Sequence, residues 1–366
     1  MKNYKLINKD PLALLVKTSL LRLPTPLSIS FMWNIGFILG MCLTLQIITG
    51  IILSINYVSQ VELRFDSVIH IIRDVEIGAI TRYTHINGAS LFFIIIFIHI
   101  GRGIYFNSPI KNPIVWISGV IILLLTIGTA FIGYVLPWGQ ISFWGATVIT
   151  SIISAIPYVG KRVTQWVWGN FSVSQPTLNR FFSLHYLIPI IIILIVIIHL
   201  ILLHQKGSSN PTGTVTNYDK IKFFPYFLVK DIIPMILAAI LIIALISTDP
   251  NNLGDVENFN KARISTTPPH IQPEWYFLFA YAILRSIPSK LGGVVAIVCS
   301  VLVLLTLCLK DNKLNKKFTP RKKTSFWVLV RLFFILTWIG ANPVEPPFIT
   351  IGIILRGLYF LTFLTV

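Results

Sequence analysis

Four of the seven histidines in the 366-residue chain form two pairs with one interval: His85 with His99, and His185 with His199, each 14 residues apart. On an α-helix 14 residues make nearly four whole turns and about 21 Å of rise, so both members of a pair face one way at two depths. Both pairs lie in long apolar stretches. Two such helices running parallel bring His85 opposite His185 at one depth and His99 opposite His199 at the other. No cysteine or carboxylate lies beside either pair, whereas a bare metal ion usually takes a fuller ligand set. Two opposed imidazoles suit the two axial positions of a haem iron, which leaves no position open for oxygen and points to electron transfer. The pattern predicts two non-covalent haem b groups with His85, His185, His99 and His199 as metal ligands. A single intramembrane histidine often does no more than bond a neighbouring helix; the repeated interval sets these four apart.

The interval recurs among glycines: Gly36 with Gly50, and Gly119 with Gly133. A helix without side-chain bulk at these points lets a flat ring approach its backbone at two depths. Close helix packing through small residues is the alternative. Arg82 stands three residues outward of His85, and Arg102 three residues inward of His99. Each is placed to reach haem propionates on its own side, or to snorkel as a helix-end cation.

The elements that must hold these residues are membrane spans. The chain is 55% hydrophobic and only 12% charged, where a soluble domain carries about a quarter charged residues. Its 25 Phe suit lipid-facing helices with interfacial belts. The net charge of +17 lies between apolar stretches rather than on a soluble face, which argues against a nucleic-acid partner. A span needs roughly 20 apolar residues, and eight are expected, near 32–55, 79–104, 113–135, 183–204, 229–247, 291–309, 326–341 and 348–364. The expected fold is therefore an all-α membrane protein of eight transmembrane helices. Its first domain, 1–210, is a haem-binding four-helix bundle with an amphipathic N-terminal segment and outer-surface helices. Its second, 211–366, holds the last four spans. An even count puts both termini on one side. With that side inner, the inner segments 1–30, 102–112, 204–230 and 310–325 carry 18 Lys and Arg, including the run from Lys310 to Lys323; the longer outer segments carry 10. Basic excess belongs inside.

Two outer loops are long enough to suggest function. Residues 137–182 hold Trp138, Trp144, Trp166 and Trp168 in the pattern of short interfacial helices. Residues 248–290 run through Thr267-Pro268-Pro269-His270 to Pro273-Glu274-Trp275-Tyr276. The three cysteines, Cys42, Cys299 and Cys308, lie in apolar stretches without a CxxC or CxxCH pattern, so no disulfide, zinc site or covalent haem is expected. No cleavable signal is expected at the N-terminus either, leaving insertion to the helices themselves.

Several motifs follow one another along the chain: Trp33-Asn34 with Gly36, His85-Ile-Asn87-Gly88-Ala89-Ser90, and His99-Ile-Gly101-Arg102-Gly103. Then come Gly133-Tyr134-Val-Leu-Pro137-Trp138-Gly139-Gln140, Trp144-Gly145-Ala146-Thr147-Val148-Ile149-Thr150, Pro211-Thr212-Gly213, the Pro273-Glu274-Trp275-Tyr276 loop and Asn342-Pro343-Val344-Glu345. In order and spacing these resemble the cytochrome b family of mitochondrial respiratory complex III, over nearly the whole chain. The resemblance implies a Q cycle: ubiquinol is oxidised at an outer site, electrons cross through the two haems, and ubiquinone is reduced at an inner site while protons are translocated. It implies that His85 and His185 hold the lower-potential haem, and His99 and His199 the higher-potential one. It places the outer quinol site among Tyr134, Gly145, Glu274, Tyr276 and Tyr281, and the inner site at His204 and Asp231 with Lys230 and Ser208 nearby. It implies a multi-pass protein of the mitochondrial inner membrane, in a homodimeric complex with an iron–sulfur (Rieske) protein, cytochrome c1 and further subunits. The chain's lack of iron–sulfur and CxxCH ligand sets agrees with acceptors carried by partners.

The roles are chemically sensible. Glu274 is the one carboxylate in an aromatic, proline-bounded segment, where burial raises a pKa toward the working range; a structural Glu bonded to backbone amides is the alternative. Tyr281 shapes a pocket or is a core aromatic. His204 and Asp231 suit proton delivery to quinone oxygens, or cap their helix ends. Three places depart from the family pattern: Phe224 and Pro346 stand where His is usual, and segment 249–266 matches poorly.

Two other classes compete. A proton transporter would string intramembrane His and Asp along one path without a cofactor. A bis-histidine cytochrome serving a dehydrogenase would lack the Pro-Glu-Trp-Tyr loop and the last four spans. A dithionite-reduced minus oxidised spectrum with haem quantitation separates them: two b haems per chain are expected, lost when His85 or His99 is replaced. One haem or none would return the histidines to a proton relay.

Overall fold

The computed structural model describes residues 10, 14, 17–213, 218–310 and 319–366. The expected amphipathic N-terminal segment and the middle of the basic stretch between Lys310 and Lys323 lie outside these residues. Among the described residues eight helices are long and apolar enough to cross a membrane: Phe31–Asn56, Gly78–Tyr105, Pro113–Val135, Gln175–Lys206, Tyr226–Thr248, Lys290–Leu309, Pro320–Ala341 and Phe348–Thr365. They fall where apolar length put them, except at two starts. The fourth begins at Gln175, because Ser174 and Thr177 form a capping box and a proline occupies the first turn. The seventh begins at Pro320, and Arg321, Lys322 and Lys323 fill its first turns. Polar helical turns extend both beyond their apolar lengths.

The first span packs along the second and the third along the fourth. The fifth lies against the second and first, the sixth against the third, and the seventh and eighth pair with each other. A short helix, Leu278–Arg285, wedges among the last three spans. Gly340 allows this, since a Cβ there would overlap the Leu278 carbonyl. Much of the outer surface is Ile and Leu, as along Ile190, Leu194, Ile197 and Ile201 of the fourth span; these side chains suit lipid.

Contacts sort the connecting segments into two ends. At one end Pro24–Pro26 pairs antiparallel with Lys220–Lys222, Lys322 donates to Asn107, and Lys310 donates to the main-chain oxygen of Val366. At the other, the Tyr57 hydroxyl donates to the Leu136 carbonyl, and Lys261 donates to Asp66 at 2.7 Å. The first end gathers the segments richest in Lys and Arg, so it is named inner here and the other outer. Within 137–182, where short helices are expected, stand Gln140–Ser151 and Gly160–Trp168; a further short helix, Arg64–Arg73, joins them at the outer end.

A buried hydrogen bond joins the first and fifth spans at the inner end. Asn34 donates from Nδ2 to Asp231 Oδ1 at 2.7 Å, and Lys230 Nζ donates to the Ile29 carbonyl at 2.6 Å. Asn34→Leu strands the Asp231 carboxyl in an apolar seam. It should cost about 1–3 kcal/mol, read as a lower denaturation midpoint in detergent; an unchanged midpoint would show that the pair holds nothing together.

Candidate functional site

The four histidines stand at two levels of the bundle formed by the first four spans. At the outer level the ring centroids of His85 and His185 are 6.3 Å apart, with planes crossed at 81°. Two metal–nitrogen bonds of about 2 Å and about 1 Å from each nitrogen to its ring centre sum to about 6 Å, so the gap matches a pair of axial imidazoles. Each glycine of the repeated interval faces one of these histidines. A Cβ on Gly50 would lie 3.1 Å from His85 Cε1, one on Gly119 3.4 Å from His199 Cε1, and one on Gly36 3.8 Å from His99 Cε1. A Cβ on Gly133 would overlap the His185 ring. The glycines thus make room for the imidazoles themselves, a tighter reason than clearance for a flat ring alone.

Three histidines have their tautomer set by a partner. The Thr49 hydroxyl spends its hydrogen on the Leu45 carbonyl, so it accepts from His85 Nδ1 at 2.9 Å. The Ser118 hydroxyl likewise donates to the Val115 carbonyl and accepts from His199 Nδ1 at 2.7 Å. The Thr129 carbonyl accepts from His185 Nδ1 at 2.9 Å. Each leaves Nε2 with a free lone pair, the form that binds a metal. At His99 the neighbour is the Arg102 guanidinium, which can only donate, 3.2 Å from Nδ1. Thr49 and Ser118 escaped the histidine argument, although Thr49-Gly50 and Ser118-Gly119 repeat a hydroxyl–glycine pair. The Thr129 carbonyl leaves no mark in a sequence.

Buried donors without partners fit the carboxylates of a haem. Gln46 Nε2 at the outer level, and Trp33 Nε1 and Arg102 Nε at the inner level, are buried and bond nothing among the described residues. Arg102 also stands 5.7 Å from the Trp33 ring. Arg82 lines a cavity with Tyr83, Asn87, Tyr134, Asp255 and Asn258. No group of three His, Cys, Asp or Glu suited to a bare metal ion occurs among the described residues. Paired imidazoles, glycine gaps and unpaired donors together fit two haems.

A second cavity lies at the outer end. Tyr134, Gly145, Glu274 and Tyr281 line it, with Phe131 and Phe277 among its apolar walls. A Cβ on Gly145 would meet nothing within 4 Å, so any side chain there projects into open space. Glu274 is 9% exposed, and its Oε1 is buried without a partner. Burial pushes its carboxyl up to about 7; Arg82 pulls it down and Asp255 pushes it further up. The Tyr281 hydroxyl points to the Ile271 carbonyl at 3.4 Å. Tyr276 is not in the wall. It is 4% exposed and stacks on Phe93 at 4.0 Å with planes 4° apart. Trp275 Nε1 donates to Ser90 Oγ at 3.2 Å, pinning the loop to the second span.

At the inner end Asp231 and Lys230 are committed to Asn34 and Ile29 as described. No hydrogen bond among the described residues joins His204 or Ser208 to them. Phe224 precedes a proline, and its backbone N–H donates to the Leu21 carbonyl. Segment 249–266, poorly matched in sequence, is well placed: Ala262 N–H donates to the Trp138 carbonyl, and Asn87 Nδ2 donates to the Pro250 carbonyl at 2.9 Å.

Removing a hydroxyl that orients a ligand should loosen the group it holds. Ser118→Ala is expected to weaken retention of one haem by about 10–100-fold while the other stays, measured as haem per chain after detergent washing. Equal loss of both, or of neither, would contradict the assignment of Ser118 to the inner level alone.

Comparison with known proteins agrees with this geometry. Residues 20–207 match the family model described as cytochrome b/b6/petB, and residues 261–360 match cytochrome b(C-terminal)/b6/petD. A solved structure titled "Hyperthermophilic respiratory Complex III" superposes with a TM-score of 0.91 at 30% identity, covering 99% of this chain and 96% of that one. With more than half of its length matched by the N-terminal family model alone, the chain belongs to the cytochrome b family.

Proposed function

We propose that this cytochrome b is the di-haem, quinol-oxidising core subunit of a quinol–cytochrome c oxidoreductase, respiratory complex III. The observation that carries the reading is the outer cavity, whose one carboxylate has a buried oxygen without a hydrogen-bond partner among the described residues. His85 and His185 would hold one haem and His99 and His199 the other. When bound, the haems supply one-electron transfer between the outer and inner ends. The remaining chemistry belongs to the side chains.

Quinol enters the apolar cavity with its hydroxyl toward Glu274, while Tyr134, Phe131 and Tyr281 shape the walls. Glu274 Oε1 accepts the hydroxyl proton. A carboxyl near 7 both takes that proton and gives it up to the outer aqueous phase. Arg82 is assigned to a propionate at the outer level and Arg102 to one at the inner level. Tyr276 serves by packing the loop against Phe93 rather than by touching quinol. At the inner end His204 is the proton donor to quinone, with Ser208 beside it; Asp231 and Lys230 build the floor of that site through Asn34 and Ile29.

The electron acceptors are an iron–sulfur (Rieske) protein and cytochrome c1 within a homodimeric complex, since this chain carries no ligand set for either centre. The substrate is ubiquinol. The basic inner segments support an N-terminus on the inner, matrix side, and the address, the mitochondrial inner membrane, rests on the resemblance of the motifs. Immunogold labelling of intact cells checks the address; label on a plasma membrane would overturn it.

Because Glu274 acts as a base, kcat/KM for quinol should rise as it ionises, climbing between about pH 6 and 8 and levelling above. Glu274→Gln should lower kcat/KM by roughly tenfold to a hundredfold and abolish the inflection, with haem content unchanged. An intact inflection in that variant would remove Glu274 from the reaction.

A further inference from the structure

Arg64, the first residue of the outer helix Arg64–Arg73, is 0% exposed, and none of its three guanidinium nitrogens has a hydrogen-bond partner among the described residues. A buried cation without a partner is costly, so something must hold it. Its guanidinium carbon lies over the Trp138 ring, 3.2 Å from its centre, and that indole is buried. Burial lowers its pKa to about 9, with Tyr57 and Glu62 opposing, so it is still a cation near neutral pH.

Trp138 is a residue with reason to be held. Its φ of 57° puts a large non-glycine residue in the left-handed region, a strained conformation that persists only where the surroundings hold it. That conformation turns the chain sharply between the end of the third span and the helix Gln140–Ser151. The turn is where the outer loop attaches. Trp138 O accepts from Ala262 N–H, Gln140 N–H donates to the Asn260 carbonyl, and the Gln140 side chain bonds both Arg263 N–H and the Thr266 carbonyl. Ser142 N–H adds a bond to Asn258 Oδ1. Segment 258–266 is thereby clamped, and eight residues later the same strand of chain delivers Glu274. On the other side of the turn stand Tyr134 and the helix bearing Gly145, both in the cavity wall.

We infer that Arg64 is a positioning residue for quinol oxidation: its stack on Trp138 locks the turn that fixes both walls of the outer cavity, one through Tyr134 and Gly145 and the other through the loop leading to Glu274. The inference rests on the reading of that cavity as the quinol site.

The test uses the assembled complex in its membrane. Arg64→Met keeps the bulk and removes the cation; the quinol KM should rise about tenfold, the worth of one desolvated cation–π contact, with kcat and haem spectra little changed. Arg64→Lys, which restores a cation over the ring, should recover most of that loss. If Arg64→Met fails to assemble, Trp138→Phe decides: it keeps an aromatic face but a weaker one, and a rise in KM of a few-fold is expected with haem content intact. An unchanged KM in whichever of these variants assembles overturns the inference. Glu274→Gln is run beside them. If it also leaves turnover untouched, the quinol-site reading has failed; if it cripples turnover while the Arg64 variants behave like wild type, only the positioning role has.

Discussion

Everything in this molecule depends on placing imidazoles at depth in a medium that offers them no water. A polar ring in hydrocarbon must find its partners within the protein. Here each of three rings finds one partner on Nδ1, from Thr49, Ser118 or the Thr129 carbonyl, and leaves Nε2 free. The ring must also fit between helices packed at ordinary distance, which requires a glycine opposite it. Thus one helix of each pair supplies the histidines and its neighbour supplies the glycines and hydroxyls. The pairing of first span with second and third with fourth follows from that need.

The interval of 14 residues was legible because a helix converts sequence spacing into depth and direction by a fixed rule. The eight spans were legible for the same reason, apolar length. The Thr49-Gly50 and Ser118-Gly119 dipeptides were visible but carried no meaning until the rings were seen beside them. Side-chain direction was not legible where a short irregular element intervened. Trp275–Phe277 is one turn of 3₁₀ helix, in which successive side chains point about 120° apart; Trp275 and Tyr276 turn to the second span and Phe277 and Glu274 to the cavity. No periodicity in four residues distinguishes these directions.

Segment 249–266 shows a different limit. Its composition departs from the family pattern, and its residues up to 260 lie outside both matched regions. Beside the side-chain bonds of Asn258 and Lys261, much of what holds it is its own main chain: Ala262 N–H on the Trp138 carbonyl, the Asn260 carbonyl on Gln140 N–H, and an isolated bridge between Gly139 and Lys261. Backbone bonds ask little of side-chain identity, so composition can change while the segment keeps its place. Glycine at 139 is the exception, since a Cβ there would overlap the Asn258 carbonyl.

The same reasoning explains why a carboxylate belongs in so apolar a cavity. In an open, wet site Glu274 would keep an ordinary carboxyl pKa and be too weak a base for a quinol hydroxyl. Wholly apolar burial would carry it so high that it held its proton at neutral pH. Arg82 restrains the effect of burial, and Asp255 returns part of what Arg82 removes. Arg82 and Asp255 both line the neighbouring cavity, which shares Tyr134 with the first. Two adjacent spaces with one common wall therefore let charges outside the apolar cavity tune the carboxyl within it, without admitting those charges to the proposed quinol site.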